Sequence, residues 1–187
     1  MPDRATPSMT PPANRLHRTV LSEAKPQESE SIRIAPLPEG HVVEVLAKTT
    51  GADLRSNLES LTSKDTACPV RAGGPGQWFI VGNRPLSRSE MDVLLKSLEP
   101  KADCVDQSHG RIRIEIGGAK VEQVLAKGTA VDLALCAFPV GHATPTQIGH
   151  VSTHLTRTAQ DNFEIMVLRG FAQSLWDEIC LMAREYT

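Results

Sequence analysis

Three residues that could act together in hydrolysis lie close to one another: Asp106, Ser108 and His109. A serine nucleophile, a histidine base and an orienting aspartate form the triad of serine hydrolases, whose members converge from separate elements. Residues this close on an extended segment alternate between two faces, so the spacing argues against a hydrolase. Because Asp106 and Ser108 precede a predicted strand, we expect them to hydrogen-bond the local backbone in an Asx-type turn.

Three histidines in the second half, His142, His150 and His154, are candidate metal ligands. On a strand, residues four apart share a face but lie roughly 13 Å apart, at about 3.3 Å per residue, which is too far for one ion. A helix would bring His150 and His154 together, but the many threonines around them disfavour a helix. We therefore expect solvent-exposed or interface histidines and no metal site in this chain.

The cysteines do not suggest a metal site either. A structural zinc site needs ligands paired two to four residues apart, and this chain has no such pair. Free thiols in a reducing compartment are the simplest expectation for the four cysteines. They are Cys68, Cys104, Cys136 and Cys180.

Two glycine-rich segments, residues 73–76 and 117–118, could be taken for phosphate-binding loops. No Gly-Lys-Ser/Thr follows either of them, so neither is a P-loop. No Gly-x-Gly-x-x-Gly pattern opens a helix after a strand, which argues against a dinucleotide fold. Nucleotide binding by this chain is not expected.

Composition limits the classes of partner. The net charge of −2 and the aromatic content of 4% provide neither the basic surface nor the stacking platform of a nucleic-acid-binding protein. No apolar run approaches the roughly 20 residues that span a bilayer. Residues 1–14 lack the apolar core of a secretory signal, so we expect a cytoplasmic protein that binds neither nucleic acid nor membrane.

Hydrophobic periodicity predicts the elements that position these residues. Ser87 and Glu90 form the pattern of a capping box at the start of a helix that ends at Pro100, and Gly128 is the predicted C-cap of a shorter helix. The residues between 111 and 116 alternate strictly, so one face should be core and the other charged. Predicted strands cover 41–46, 77–81, 104–105, 111–116, one long strand within 143–158, and 163–168. Predicted helices cover 53–61, 87–98, 121–125 and 171–186.

The domain organisation follows from these elements and from the prolines. Residues 1–38 are rich in proline and poor in apolar residues, which predicts a flexible N-terminal arm that orders, if at all, against a partner. Residues 39–187 form one unit with two lobes, about 39–104 and 105–187. The order of strands and helices repeats at an offset of about 70 to 85 residues, so we predict an α+β fold with two ferredoxin-like β-α-β lobes in pseudo-repeat.

Short signatures from residue 74 onward resemble the gamma subunit family of heterotetrameric sarcosine oxidase. Each is weak alone, and their order and spacing carry the resemblance. They are Gly-Pro-Gly-Gln-Trp at 74–78, Asp-Gln-Ser-His-Gly-Arg at 106–111, Ala-Lys-Gly at 126–128, Asp-Leu at 132–133, Phe-Pro at 138–139 and the Phe-Ala-Gln-Ser-Leu-Trp helix at 171–176.

The resemblance implies the folate-binding-domain fold of aminomethyltransferase. It also implies a subunit that packs with alpha, beta and delta subunits, alpha most directly. Such a complex oxidises sarcosine to glycine, transfers the one-carbon unit to tetrahydrofolate and forms hydrogen peroxide. FAD, FMN and NAD belong to the other subunits and zinc to delta. The family assigns no catalytic, cofactor-binding or metal-binding residue to gamma, so the chain is expected to be inactive alone.

The interface residues that we predict lie around the start of the last helix: Arg169, Phe171 and Trp176. Two other functions stay open. Thr153 and Thr156 depart from the apolar residues of the family, and related N-methylglutamate dehydrogenases contain a similar chain. A free-standing folate-binding protein related to aminomethyltransferase is the second alternative, although the Lys-Gly-Cys-Tyr motif of that group is absent here.

Overall fold

The computed structural model describes residues 19–48, 54–62, 66–67 and 69–187. The strands are β1 (Gln27–Glu28), β2 (Arg33–Pro36), β3 (His41–Ala47), β4 (Val70–Gly74), β5 (Gln77–Gly82), β6 (Ala102–Asp106), β7 (Arg111–Gly117), β8 (Ala143–Ile148), β9 (Val151–Ala159) and β10 (Asn162–Leu168). The helices are α1 (Leu54–Leu61), α2 (Arg88–Leu98), α3 (Val121–Leu125) and α4 (Ala172–Ala183), with one 3-10 turn at Arg169–Phe171.

The strands form two antiparallel sheets. The smaller sheet has the order β4-β5-β3-β6, and the larger has the order β1-β2-β7-β10-β9-β8. Helices α1 and α2 cover the outer face of the smaller sheet, and α3 and α4 cover the outer face of the larger one. The inner faces meet through a small apolar cluster in which Met166 packs against Val42, Phe79 and Val81. The molecule is therefore built in four layers, helix, sheet, sheet and helix.

The first half has the β-α-β-β-α-β order of a ferredoxin-like lobe. The second half repeats it, because β7, β9 and β10 occupy the places of β3, β4 and β5. No strand follows α4 in the described residues, and β2 takes the place beside β7 that β6 takes beside β3. The predicted pseudo-repeat and α+β class are confirmed, and the second lobe is completed by the N-terminal segment.

The prediction of a flexible arm over residues 1–38 is wrong for the part that the structure describes from β1 onward. Ile32 and Ile34 are buried in the core beneath the larger sheet. The hydroxyl of Ser29 donates to the carbonyl oxygen of Tyr186 at 2.5 Å. The prediction failed because β2 pairs with β7, far along the chain, rather than with a neighbouring segment. Residues 1–18 lie outside the described part.

Several local predictions are confirmed. The Ser87 side chain accepts from the Glu90 N–H at 3.3 Å and the Glu90 carboxylate accepts from the Ser87 N–H at 2.7 Å, so both halves of the capping box are present. The strand at β7 buries Ile112, Ile114 and Ile116 as predicted. Helix α1 begins at Leu54, and the predicted start at 53 lies outside the described residues.

Three local predictions are wrong. The long strand within 143–158 is a hairpin of β8 and β9, turned by Gly149 at φ +56°, a conformation that glycine adopts without strain. The cap of α3 is Ala126, and Gly128 serves close packing instead, since a Cβ there would lie 2.8 Å from the Met182 sulfur. The last α-helix begins at Ala172, with Phe171 exposed in the preceding turn.

Replacing Ile34 by alanine tests whether β2 is an integral strand. Ile34 is fully buried, so Ile34→Ala should lower the free energy of unfolding by about 2–5 kcal/mol. Glu28→Ala, at an exposed position of β1, should change it by less than about 0.5 kcal/mol. Urea denaturation measures both values, and equal small effects would mean that this segment is not part of the core.

Candidate functional site

The segment that joins β6 to β7 holds Asp106, Ser108 and His109, the candidate hydrolase triad. The Asp106 carboxylate accepts from the Ser108 N–H at 2.9 Å and from its hydroxyl at 2.5 Å. The Ser108 oxygen also accepts from the Val42 N–H at 3.1 Å. The predicted Asx-type turn is confirmed, and the serine oxygen is used to tie this turn to β3. The structure does not assemble a nucleophile and a base here.

The three histidines lie in different environments. His142 stacks on Phe138, with ring centroids 4.6 Å apart, and His150 is exposed in the turn between β8 and β9. His154 is buried, and its Nε2 lies 2.8 Å from the carbonyl oxygen of Ala72. The expectation of exposed or interface positions is therefore wrong for His154, which joins the two sheets. No group of three potential metal ligands occurs in the described part of the chain.

The most unusual chemistry of the chain lies between the two sheets. Arg71 of β4 donates two hydrogen bonds to the two carboxylate oxygens of Glu164 in β10, at 2.5 and 2.8 Å. Arg113 of β7 approaches the same carboxylate at 3.6 Å and donates to the carbonyl oxygen of Pro38 at 3.1 Å. All three charged side chains are buried. We call Arg71, Arg113 and Glu164 the inter-sheet charge cluster.

The geometry of this cluster satisfies its buried charges. A buried carboxylate must be paired and hydrogen-bonded, and the paired guanidinium fork satisfies both oxygens of Glu164 at once. The cavity at the edge of this layer, beside Pro38 and Arg113, holds about 10 Å³. A ring system such as a pteridine does not fit in that space.

Sequence reasoning missed the inter-sheet charge cluster and placed Arg113 on a solvent-facing side of β7. Arg113 is buried because the inner faces of both sheets are covered by each other. One signal was present in the sequence. Glu164 interrupts an otherwise apolar strand, and a lone acid in such a run indicates either an exposed face or a buried ion pair.

The three predicted interface residues differ in exposure and in their contacts within the chain. Trp176 is 5% exposed and belongs to the core beneath the larger sheet, so its ring cannot serve as an exposed anchor. Arg169 lies 3.4 Å from the carboxylate of Glu39 in its own chain. Phe171 is 54% exposed. Leu168, the last residue of β10, is also exposed, three residues before Phe171. The prediction of an interface at this end of α4 therefore depends on Phe171.

The cavity of about 410 Å³ on the outer side of the smaller sheet has a mainly apolar lining. It lies between the end of α1 and the middle of α2, with Leu61, Val93 and Leu94 on its walls. Arg84 and Glu90, whose ion pair measures 2.8 Å between Nη2 and Oε1, also line the cavity. The Glu90 carboxylate is already bonded to Arg84 and to the capping box at the start of α2.

Comparison with known proteins identifies the group to which this fold belongs. The model of the sarcosine oxidase, gamma subunit family matches residues 43–183. The chain belongs to this family. No match was found among curated proteins.

Two solved structures share the fold. A chain of heterotetrameric sarcosine oxidase from Corynebacterium sp. U-96, in complex with pyrrole 2-carboxylate, superposes with a TM-score of 0.77 at 17% identity, over 92% of this chain and 97% of that one. Glycine cleavage system aminomethyltransferase T from Bartonella henselae gives a TM-score of 0.52 at 13% identity, over 81% of this chain and 46% of that one. The predicted aminomethyltransferase-like fold is confirmed.

Among the described residues, no helix has both the length and the apolar character that crossing a membrane requires. Cys104, Cys136 and Cys180 are free thiols, and Cys68 lies outside the described part.

Breaking the inter-sheet charge cluster should strongly destabilise this gamma-family chain. Arg71→Met leaves the buried Glu164 carboxylate without its bidentate partner, and we expect a loss of about 3–5 kcal/mol in the free energy of unfolding. Arg55→Met removes one member of the exposed Arg55–Glu59 pair, and its expected cost is about 0.3–0.5 kcal/mol. Denaturant titration compares the two variants. Similar small losses would show that the cluster does not hold the sheets together.

His154 should make stability depend on pH. Burial, the main cause, lowers the pKa of His154 from 6.5 to about 4, and the nearby charges of Arg71 and Arg111 add to this effect. The Nδ1 atom, which would take up the proton, has no hydrogen-bond partner among the described atoms. The unfolded chain therefore binds the proton first as the pH falls. Stability that is present above pH 6.5 should be lost between pH 6.5 and 4, by about 3 kcal/mol in total.

The substitution His154→Gln removes this titration and retains a donor for Ala72, so the loss in that pH range should disappear. His150→Gln, at an exposed turn position, is the control and should retain it. Glu90 titrates mainly below this range, because hydrogen bonds from Arg84 and Ser87 lower its pKa from 4.5 to about 2. Thermal unfolding at several pH values measures the effect. An unchanged pH profile in His154→Gln would contradict the assignment.

Proposed function

We propose that this chain is the gamma subunit of a heterotetrameric sarcosine oxidase and that its role is structural. The observation that carries the proposal is the family match over residues 43–183, supported by a likeness that covers 97% of a chain of the Corynebacterium oxidase. In this role the chain packs on the alpha subunit and stabilises the assembly. The complex oxidises sarcosine to glycine, transfers the one-carbon unit to tetrahydrofolate and forms hydrogen peroxide.

The residues of the chain support a non-catalytic role. The oxygen of Ser108 accepts from the β3 backbone, and the inner faces of the sheets are packed against each other. In this proposal the flavins FAD and FMN, the NAD and the tetrahydrofolate are bound by other subunits, and zinc by delta. The gamma chain contributes a preformed surface rather than reacting groups.

A related N-methylglutamate dehydrogenase is a less favoured assignment. This alternative arose because Thr153 and Thr156 stand where the family has apolar residues. Both threonine side chains are buried. The Thr153 hydroxyl donates to the carbonyl oxygen of Thr146 at 3.1 Å, within the sheet. The Thr153 hydroxyl therefore has a partner within the larger sheet, whereas the buried Thr156 hydroxyl has none among the described residues.

A free-standing folate-binding protein is also less favoured. The segment where that group carries a reactive cysteine has Thr129 after Lys127 and Gly128. Lys127 donates to the carbonyl oxygen of Met182 at 2.6 Å, and the Thr129 hydroxyl lies 2.9 Å from that of Thr146. Both contacts hold the end of α3 against the rest of the lobe, which is a structural use of this segment.

Reconstitution tests the proposal. The chain is expressed alone and together with the alpha, beta and delta subunits encoded in its host. Oxidation of sarcosine and of N-methylglutamate is measured both as hydrogen peroxide formation and as reduction of an added electron-acceptor dye. We expect a flavin-containing complex that is active on sarcosine, and an isolated chain that is colourless and inactive. A complex that turns over N-methylglutamate but not sarcosine would assign the chain to the dehydrogenase. Turnover or folate binding by the isolated chain would contradict a structural role.

Phe171 provides a residue-level prediction for assembly. A carboxylate in the centre of a protein interface is left without water, so Phe171→Asp should weaken assembly with the other subunits about tenfold or more. Leu181→Asp is a matched control, because Leu181 lies on α4, the helix that follows Phe171, and is 55% exposed against 54% for Phe171. Size-exclusion chromatography of the co-expressed subunits measures both. Equal assembly of the two variants would contradict the assignment of Phe171 to the interface.

A further inference from the structure

Strand β6 is an open edge of the smaller sheet. Within the described residues it pairs with β3 alone, over the register that runs from Val43–Asp106 to Ala47–Ala102. It is five residues long and contains no proline. Its other side faces away from the sheet, so its outward backbone groups are placed to pair with a further strand.

The hydrogen-bond pattern identifies which backbone groups point outward. The Lys48 N–H donates to the Lys101 carbonyl oxygen at 3.0 Å, and the Gln107 N–H donates to the Val42 carbonyl oxygen at 2.8 Å. In an antiparallel pair, alternate residues of a strand bond to the same neighbour. The odd-numbered residues of β6 therefore face β3. The N–H and C=O groups of its even-numbered residues, from Ala102 to Asp106, point away from the sheet.

The other sheet edges are protected. Strand β1 has only two residues. Strand β8 contains Pro145, which lacks an N–H, and the carbonyl oxygen of Ala72 in the edge strand β4 accepts from His154. Proteins shorten or block their edge strands in these ways because open edges pair with other chains. Strand β6 is the edge to which none of these three devices applies in the described residues.

Both sides of the open edge offer apolar contacts. On the helix side, a groove of about 280 Å³ runs between β6 and α2, with Leu95, Ala102 and Cys104 among its walls. On the opposite side, Leu46 and Val105 are 40% and 45% exposed. Side chains of a strand added to β6 would alternate between these two sides. A strand with apolar residues on both faces therefore fits this edge.

The charge around the groove restricts the partner. Its lining residues include Asp92, Glu99 and Asp103 against Lys96. Lys48 pairs with Asp103 at 3.0 Å, so Asp92 and Glu99, with Lys96 as the one lysine of the lining, supply the remaining negative charge. A second copy of this chain would bring a second set of acids to the same edge, and like charges at such a contact oppose pairing. A segment with lysine or arginine beside its apolar residues would be attracted instead.

We infer that the β6–α2 edge is a docking site for an extended, basic segment of a non-identical subunit, which adds to β6 as a fifth strand of the smaller sheet. This inference rests on the proposed function, because it locates one of the contacts through which the chain joins its complex. Backbone hydrogen bonds supply the pairing, and the alternating apolar contacts and the acidic groove supply the selectivity.

Hydrogen exchange at single-residue resolution tests the pairing directly. On assembly with the other subunits, the amides of Ala102, Cys104 and Asp106 should exchange about tenfold or more slowly, while those of Asp103 and Val105, already bonded to β3, should change little. An assembled complex in which the even-numbered amides stay unprotected would overturn the inference and leave the proposed function standing. Failure of the wild-type chain to form any complex would overturn both.

A proline at position 104 blocks the edge. Cys104→Pro removes an outward N–H and no bond to β3, so assembly should weaken about tenfold or more, whereas Cys104→Ala should assemble as the wild type does. Protection of the Asp103 and Val105 amides shows that the proline variant has folded. If it has not, the exchange experiment on the wild type decides. Equal assembly of two folded variants would overturn the inference.

A charge reversal tests the nature of the partner. Asp92→Lys should weaken assembly, while Asp161→Lys, at an exposed turn between β9 and β10, should not. Equal assembly of these two variants would overturn the basic character of the partner segment. Dimerisation of the isolated wild-type chain that is lost in Cys104→Pro would show that the edge pairs with a second copy, and would also overturn the inference.

Discussion

Glu164 lies buried between the two sheets, and Arg71 reaches it from the opposite sheet with two hydrogen bonds. The two residues are 93 positions apart, so the pair forms only when both lobes are folded and aligned. A buried ion pair destabilises the fold unless its hydrogen-bond geometry is satisfied. Misalignment of the sheets therefore costs more free energy than it would if an apolar contact took the place of this pair. The apolar contacts of Met166 and the hydrogen bond from His154 to Ala72 lie in the same layer and depend on the same alignment.

The second constraint is the incomplete second lobe. Among the described residues no strand follows α4, and the strand that completes this lobe is β2 from the N-terminal segment, where Ile34 pairs with Ile116. The N-terminal segment and the C-terminal helix are thereby held to the same sheet, and the Ser29–Tyr186 hydrogen bond connects them directly. The result is one unit in which the inner faces of the two sheets pack against each other.

Elements that depend on local signals in the sequence were predicted well, and features that depend on contacts between distant segments could not be predicted. The capping box at Ser87 and Glu90 and the alternation of Ile112 with Ile114 are complete within a few residues, so the helix and the strand follow from them. Strand β2 depends on pairing with β7, about 80 residues further along the chain. It also ends in Pro36 and lies in a proline-rich segment, which is typical of a linker. The prediction that Trp176 is an interface residue is wrong because the sequence does not show which side of a helix meets the sheet. The family resemblance, carried by spaced signatures, predicted the fold correctly where single residues did not.

The central claim is that this gamma-family chain works as one part of a larger oxidase. Native mass spectrometry of the complex, purified through a tag on this chain from its own host, tests that claim most directly. The account predicts a single species whose mass equals one copy of this 20.3 kDa chain together with alpha, beta and delta subunits and their flavins. A tagged chain recovered only as a colourless monomer of its own mass would contradict it.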